Sequence, residues 1–178
     1  MLEATELENI LAEFAEHVIA GAKRNLKTKG KNASNNLSDS LDYNVKVSKN
    51  SIQVDILGED YLPFIDKGVS GVKKKYNTPF SYKSKGGLKG MPPPSAFDKW
   101  NIRRGRADRD EKGRFLSRKQ LNFKTAVGVF YYGIEPSKFF TTPFENAFKS
   151  LPDEIIEAYG LDVENFIELT LKNNTDAV

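Results

Sequence analysis

Apolar residues at helical spacing mark the first part of the chain. They recur every three or four positions, so they share one face of a helix and predict an amphipathic helix over residues 3 to about 27. The stripe consists of Leu7, Ile10, Leu11, Phe14, Val18, Ala22 and Leu26. Acidic residues lie near its start and basic residues near its end, as the helix dipole favours. The following stretch, KTKGKNASNN, has no periodicity and predicts a loop.

Two short runs in which polar and apolar residues alternate come next. Their apolar positions are Tyr43, Val45 and Val47 in the first run and Ile52, Val54 and Ile56 in the second. Joined by SKNS, the runs predict a β hairpin over about residues 43–56 with one buried face. The stretch DYLPFIDKG then predicts either a short strand or one or two helical turns ended by Gly68.

A short helix is predicted within PPPSAFDKW. Ser95 can cap it, with Asp98 reaching back from the third position, and this places Phe97 and Trp100 toward the core. The periodicity breaks down within NIRRGRADRDEKGRF, where we expect the helix to end.

A longer helix is predicted from Ser117, which can cap it, to about Tyr132. Gly133 would then terminate it. The predicted buried face consists of Phe123, Ala126, Val127 and Phe130.

An extended link and a new helix start are predicted in YGIEPSKFFTTPFENAF. Pro136 forbids helix in the link. Thr142 can cap the helix, Pro143 fits its first position, and Glu145 completes a capping box. The apolar stripe of this helix consists of Phe144, Ala147, Phe148 and Leu151.

These elements together predict an α+β fold: a small antiparallel sheet packed by the N-terminal helix and the C-terminal helices. We expect a single domain over 1–178, with a basic arm and loop insertion at 69–118. Residues 151–178 are predicted to form a C-terminal helical extension, in which Gly160 ends one helix and Asp162 caps the last.

Composition narrows the class of protein. The 178 residues include no cysteine, which excludes disulfides and thiolate chemistry within this sequence and favours an intracellular origin. The first residues lack the pattern of a signal peptide, and no apolar run approaches the roughly 20 residues that cross a bilayer. We therefore expect a soluble protein without membrane contact.

The net charge of +3 conceals a strong segregation along the chain. Residues 67–119 contain 16 Lys or Arg and 4 Asp or Glu, whereas the remainder contains 11 basic and 20 acidic residues. Clustered cations with aromatic residues between them can bind phosphate backbones, or else an acidic protein such as a neighbouring copy; a solvated loop is the third alternative. The candidate contacts with DNA or an acidic partner are Lys73, Lys74, Lys75, Arg103, Arg104, Arg106, Arg109 and Arg114.

Residues that could perform catalysis are sparse. His17 is the one histidine of the chain and is predicted to be a solvated helix residue. Asp108, Asp110 and Glu111 would suit a magnesium-dependent nuclease, but arginines and a lysine interleave with them and favour a solvated loop. The stretch SKGGLKG lacks the ending of a phosphate-binding loop. We expect no enzyme, no metal and no cofactor.

The order of these parts resembles the small bacteriophage tail-completion, or neck, proteins. The resemblance rests on AKRNL at 22–26, on YLPFIDKG at 61–68 and on GIEPSKFF at 133–140. In that family the middle element carries a Tyr-to-acidic-to-Gly pattern, which falls here on Tyr61, Asp66 and Gly68. The hinge carries a Gly-Ile/Thr-x-Pro-x-x-Phe pattern, which falls here on Gly133, Ile134, Pro136, Phe139 and Phe140. The family usually has an Arg just before the hinge Phe, where this chain has Lys138.

The resemblance implies a structural virion protein without catalysis. Such proteins form rings, six-fold or twelve-fold, in the head-tail connector or tail, next to portal-associated and tail proteins, and are assembled in the host cytoplasm. Non-specific contact with genomic DNA is a further expectation. The candidate ring interface comprises Tyr76, Phe80, Tyr82, Ile134, Phe139, Phe140, Phe144 and Phe148. Alternatively, four of these side chains fill the chain's own core, namely Phe139, Phe140, Phe144 and Phe148. A different alternative for the whole chain is a stand-alone, sequence-independent nucleic-acid-binding module that uses the basic 67–119 segment.

Overall fold

The computed structural model of the chain describes residues 4–48 and 51–159 together with Val163 and Ile167. Contacts divide the chain into two compact units. Unit 1 comprises Met1–Asp66 and Lys138–Val178, and unit 2 comprises Lys67–Ser137. Unit 2 is wider than the insertion predicted at 69–118, because the helix and strand that follow that segment pack with it.

The described residues contain helices and two small antiparallel sheets, which confirms the predicted α+β class. In chain order the elements are α1 (Ala4–Thr28), α2 (Asn36–Ser40), β1 (Asp42–Ser48), β2 (Ser51–Leu57), α3 (Leu62–Lys67), β3 (Val69–Ser70), a 3-10 turn (Pro94–Phe97), α4 (Asp98–Arg103), α5 (Arg118–Tyr132), β4 (Gly133–Ile134), α6 (Thr141–Phe148) and α7 (Asp153–Tyr159). One sheet pairs β1 with β2 and the other pairs β3 with β4.

The long helix α1 forms the spine of unit 1, as predicted. Six positions of its predicted stripe are buried: Leu7, Leu11, Phe14, Val18, Ala22 and Leu26. This stripe packs against the hairpin and against α6, so one helix face covers two elements that are distant in sequence. The only histidine, His17, is exposed on α1, as predicted for a solvated helix residue.

The hairpin confirms the prediction over residues 43–56. Its antiparallel register runs from Asp42 opposite Leu57 to Ser48 opposite Ser51. Val54 and Ile56 are buried against the core of unit 1, whereas the turn residues 49–50 lie outside the described ranges. In DYLPFIDKG the helical alternative is confirmed by α3, which Gly68 follows with a φ of 74°.

The start of α6 differs from the prediction. The helix begins at Thr141, and Phe140 at the N-cap provides no side-chain cap, so Thr142 is not the capping residue. The fully buried carboxylate of Asp66 takes this role: its Oδ1 accepts from the backbone N–H groups of Phe140 (2.8 Å) and Thr141 (3.1 Å). Its Oδ2 accepts from the hydroxyl of Thr141. A residue from α3 therefore satisfies the free amides at the N-terminus of α6.

The C-terminal part of unit 1 follows the predicted order within the described residues. Pro152 precedes α7, and Leu151 and Ile155 are buried in the core. Val163 and Ile167 are helical, and Ile167 is buried. The predicted helix end at Gly160 and cap at Asp162 lie outside the described residues.

Helix α5 of unit 2 has the predicted ends but a different buried face. Ser117 and Gln120 form a reciprocal capping box, and Gly133 is the C-cap, as predicted. Phe123 was predicted to be buried and is 46% exposed. The buried positions are Leu121, Asn122, Thr125, Ala126 and Phe130, so polar residues occupy part of the face that pattern reasoning reserves for apolar ones.

The short helix in PPPSAFDKW was predicted to start two residues too early. Ser95 lies within the 3-10 turn and makes no cap, and α4 starts at Asp98. Trp100, predicted to face the core, is 38% exposed, while its neighbour Asn101 is buried. The polar contacts of Asn101, described below, account for this orientation.

Candidate interaction surface on unit 2

The segment predicted as a basic arm and loop insertion is hydrogen-bonded to the rest of unit 2. The backbone N–H of Ser70 donates to Phe80 O (2.9 Å), and that of Tyr82 donates to Ser70 O (2.8 Å). Farther along, the N–H of Val72 donates to Phe130 O (3.0 Å), at the end of α5. The first part of the basic segment is therefore held in place by backbone hydrogen bonds.

The predicted interface residues of unit 2 are half-buried. Tyr76, Phe80, Tyr82 and Ile134 are all intermediate in exposure. The ring of Tyr82 meets Phe130 edge-on with centroids 6.3 Å apart, and burial raises the pKa of its hydroxyl. These side chains retain some exposed surface, but each also packs within its own unit.

Three of the predicted interface residues in unit 1 belong to the core. Phe139, Phe140 and Phe144 are fully buried, and Phe144 packs edge-on against Phe14 at 5.1 Å between centroids. The alternative that these rings fill the chain's own core is thus confirmed for them, and they cannot contact a partner in this fold. Phe148 is partly buried against the same core.

A polar network holds α4 against α5. Asn101 donates from Nδ2 to Asn122 Oδ1 (2.8 Å), and Asn122 donates from its own Nδ2 to Asp98 Oδ1 (2.9 Å). Thr125 donates from Oγ1 to Asn101 Oδ1 (3.2 Å), and Arg118 donates to both oxygens of Asp98. The hydrogen bonds from Arg118 and then Asn122 hold the pKa of Asp98 below its usual range.

Removing the central amide of this network is expected to destabilise unit 2. The substitution Asn122→Leu leaves the buried Asn101 amide without its acceptor, which should lower the free energy of unfolding by about 2 kcal/mol. The measurement is urea unfolding followed by the fluorescence of Trp100, the only tryptophan of the chain. Lys119→Leu, at an exposed position of α5, is the control, and an equal loss in both variants would contradict the assigned role of Asn122.

Exposed aromatic rings in unit 2 carry guanidinium groups above their faces. The guanidinium carbons of Arg104 and Arg106 lie 5.9 and 5.6 Å from the ring centroid of Trp100. Arg109 lies 3.7 Å from the ring of Phe115, which is 63% exposed. Cation–π contacts of this kind hold arginines in place at a surface that remains accessible.

The loop that bears these arginines is fixed by two carboxylates. Asp110 Oδ1 accepts from the backbone N–H groups of Arg114 (2.8 Å) and Lys112 (3.0 Å). Asp108 lies 3.0 Å from Lys124 Nζ and 3.7 Å from Arg106. The backbone of Arg114 lowers the pKa of Asp110, and Lys124 lowers that of Asp108. Both carboxylates therefore have cations of this chain as neighbours, as their spacing predicts, and the described residues contain no group of three potential metal ligands.

Three consecutive lysines near the start of the basic segment, Lys73, Lys74 and Lys75, are exposed. Lys73 Nζ lies 4.6 Å from the ring of Tyr131, Lys74 Nζ lies 5.0 Å from that of Tyr76, and Lys75 donates to Gly71 O at 2.8 Å. The remaining candidate, Arg103, is exposed in the last turn of α4. All eight predicted cations are thus exposed. Five of them lie at aromatic rings: Lys73 and Lys74 beside tyrosines, and Arg104, Arg106 and Arg109 over Trp100 or Phe115.

Sequence reasoning missed two residues that connect distant segments of unit 1. Asp66 caps α6, and Asn25 donates from Nδ2 to Phe139 O at 3.2 Å. Both occupy positions that the resemblance matched, and this was the only signal that could have singled them out.

None of the described helices is long and apolar enough to cross a membrane. Comparisons of the chain with protein-family models, with curated proteins and with solved structures found no match in any of the three.

Proposed function

We propose that the chain is a non-catalytic structural subunit of a bacteriophage virion, assembling as a ring in the head-tail connector or tail. The observation that supports this proposal is that two of the short motifs behind the resemblance, 22–26 and 61–68, each contact the third, 133–140, although they are far apart in the sequence.

In unit 1, Asn25 of the first motif bonds the carbonyl of Phe139 in the third. Asp66 of the second motif bonds the N–H of Phe140, and its own carbonyl accepts from the N–H of Lys138 at 3.0 Å. In unit 2, a Cβ on Gly68 would lie 2.6 Å from the carbonyl oxygen of Ile134. At Asn25, Asp66 and Gly68 the identity of the residue therefore decides whether these segments can pack, which favours a shared fold over coincidence.

The charge distribution fits a subunit of a closed ring. Unit 2 contains 17 basic and 5 acidic residues, and the rest of the chain contains 10 basic and 19 acidic residues. Rings need heterologous contacts, in which each subunit presents two different surfaces to its neighbours. Portal-associated and tail proteins of the same particle are the further partners that we propose, with the virion neck or tail as the location.

A second candidate function is sequence-independent nucleic-acid binding. The lysine group of unit 2 supports it, because Lys73 and Lys74 are exposed beside tyrosine rings. Cations combined with aromatic faces can follow a phosphate backbone without reading its sequence.

The native mass of the purified chain tests the proposed ring. Light scattering on the chain alone, over a range of protein concentrations, should give six or twelve times the 20.0 kDa of one chain. With the connector proteins of the same particle, the mass of those proteins should add to that of the same six or twelve copies. Ring-shaped particles in electron micrographs should accompany that mass.

A chain that stays monomeric in both samples would contradict the ring. In the same samples, labelled single-stranded DNA separates the second candidate function from the first. Binding of this DNA by the monomer would favour the nucleic-acid-binding module, provided that the logarithm of the binding constant falls linearly with the logarithm of the salt concentration.

A further inference from the structure

Exposed apolar side chains and arginines share one region of unit 2. We define its cationic surface as Trp100, Ile102, Arg104, Arg106, Arg109 and Phe115. Ile102 is 55% exposed and Phe115 63%, so both leave apolar surface available to a partner. Contacts link the ends of this region: Arg106 lies against Trp100 and Asp108, and the carbonyl of Asp108 accepts from the N–H of Leu116, next to Phe115.

This mixture of residues favours a protein partner over a nucleic acid. Exposed isoleucine and phenylalanine contribute little to binding a phosphate backbone, whereas buried Trp and Arg dominate the energetics of protein interfaces. Arg109 is held over Phe115, and Arg104 and Arg106 over Trp100, so less side-chain freedom is lost when a partner docks. The cations further imply that the partner surface is acidic.

Unit 1 carries a patch with the complementary composition. We define the acidic patch as Asp42, Leu57, Asp60, Tyr61 and Phe64, all of which are exposed. Asp42 lies opposite Leu57 in the hairpin, and the N–H of Leu62 donates to Glu59 O, which fixes the segment between the hairpin and α3. Among the described residues of unit 1, the exposed large apolar side chains are Leu57, Tyr61 and Phe64, so all of them lie in this patch.

The acidic residues of α1 lack this feature. Glu6, Glu8, Glu13 and Glu16 are exposed along α1, but no large apolar residue is exposed among the described positions of that helix. Such a surface offers charge alone, and charge alone gives little affinity at physiological salt. The acidic patch offers both the apolar contact and the charge that the cationic surface needs.

We propose that the acidic patch of one copy docks on the cationic surface of a second copy of this chain. The two faces differ, so the contact is heterologous: each copy presents its patch to one neighbour and its surface to the other. This inference rests on the proposed ring and assigns the residues that would join its subunits.

Site-specific cross-linking tests the pairing of the two faces. The sequence contains no cysteine, so an introduced cysteine is the one thiol that the reagent can modify. Asn44→Cys lies on the exposed side of β1, two residues from Asp42, and Ala107→Cys lies beside Arg106. When the two single-cysteine variants of the full chain are mixed with a short bis-maleimide, we expect mainly 44-to-107 cross-links. Ala20→Cys, at an exposed position of α1, replaces Asn44→Cys in the control and should give few.

Charge reversal then tests the mechanism of recognition. The double substitution Arg104→Glu with Arg106→Glu should reduce the 44-to-107 cross-link by about tenfold or more, because like charges would face each other. Adding Asp42→Arg with Asp60→Arg on the opposing copy should restore it. Lys83→Glu with Lys85→Glu changes the net charge equally at exposed positions outside the cationic surface and should leave the yield within about twofold. Circular dichroism checks that each variant is folded.

Three results would overturn this inference. The chain could assemble into ring-shaped oligomers in which the 44-to-107 cross-link is absent or is unaffected by the charge reversal at Arg104 and Arg106. This result would leave the proposed function standing and place the subunit contact elsewhere. Monomers without cross-links, alone and with connector proteins, would overturn both proposals. Single-stranded DNA binding that is lost on Arg104→Glu with Arg106→Glu, in a chain that does not self-associate, would assign the cationic surface to nucleic acid.

Discussion

Replacing Asp66 by alanine is expected to lower the free energy of unfolding by about 3 to 5 kcal/mol. The carboxylate is fully buried and accepts from the N–H groups of Phe140 and Thr141 and from the Thr141 hydroxyl. Alanine removes the cap of α6 and leaves these donors without an acceptor in the core, where each unsatisfied donor is unfavourable. Urea unfolding followed by far-ultraviolet circular dichroism measures the loss.

Two further variants separate capping from general disruption. Asp66→Asn keeps a side-chain oxygen that can accept one set of bonds, so we expect about half of the loss. Asp39→Ala removes a carboxylate that is exposed in α2 and should change stability by less than about 0.5 kcal/mol. Hydrogen exchange of the α6 amides should accelerate in Asp66→Ala; a loss below about 1 kcal/mol, with unchanged exchange, would contradict the capping role.

The elements that the sequence predicted correctly are those whose causes are local. The stripe of α1 follows from helical periodicity, and the hairpin follows from alternation within two neighbouring runs. Ser117 and Gln120 cap α5 from within the same four residues, so the box can be identified without knowledge of the fold. In each case the stabilising contacts join residues close in sequence.

The predictions that were wrong depend on contacts between distant residues. Thr142 was assigned the cap of α6 because its spacing to Glu145 fits a capping box, yet Asp66 caps the helix from 74 residues upstream of Phe140. Asn101 and Asn122 are buried because they satisfy each other, while Phe123 next to Asn122 is exposed. Pattern reasoning assigns polar residues to solvent, and a paired polar network is invisible to it.

The candidate surface was predictable in charge but not in organisation. Composition identified the lysines and arginines, and all eight candidates are exposed. It did not show that Arg104, Arg106 and Arg109 lie over aromatic rings, or that Asp108 and Asp110 fix the loop. For the phenylalanines of the hinge, both a core and an interface fit the sequence, and burial decided for the core at Phe139, Phe140 and Phe144.

The substitution Gly133→Ala is expected to destabilise unit 2 by more than about 3 kcal/mol. Gly133 has φ 74° and ψ −161°, a backbone conformation adopted essentially by glycine alone. An added Cβ would also lie 2.0 Å from the carbonyl oxygen of Val69 and 2.5 Å from the nitrogen of Gly71. Val69 lies in β3, which pairs with β4, and Gly71 directly follows β3, so relief would require breaking that pairing.

The matched variant Gly128→Ala should have the opposite effect. Gly128 lies within α5, where a Cβ would meet nothing within 4 Å, so alanine should stabilise the helix by about 0.5 to 1 kcal/mol. Thermal unfolding followed by Trp100 fluorescence reports both variants from within unit 2. If Gly133→Ala unfolded at the temperature of the unmodified chain, the close approach of β3 and β4 would be wrong, because the added methyl group cannot occupy the space of the Val69 carbonyl.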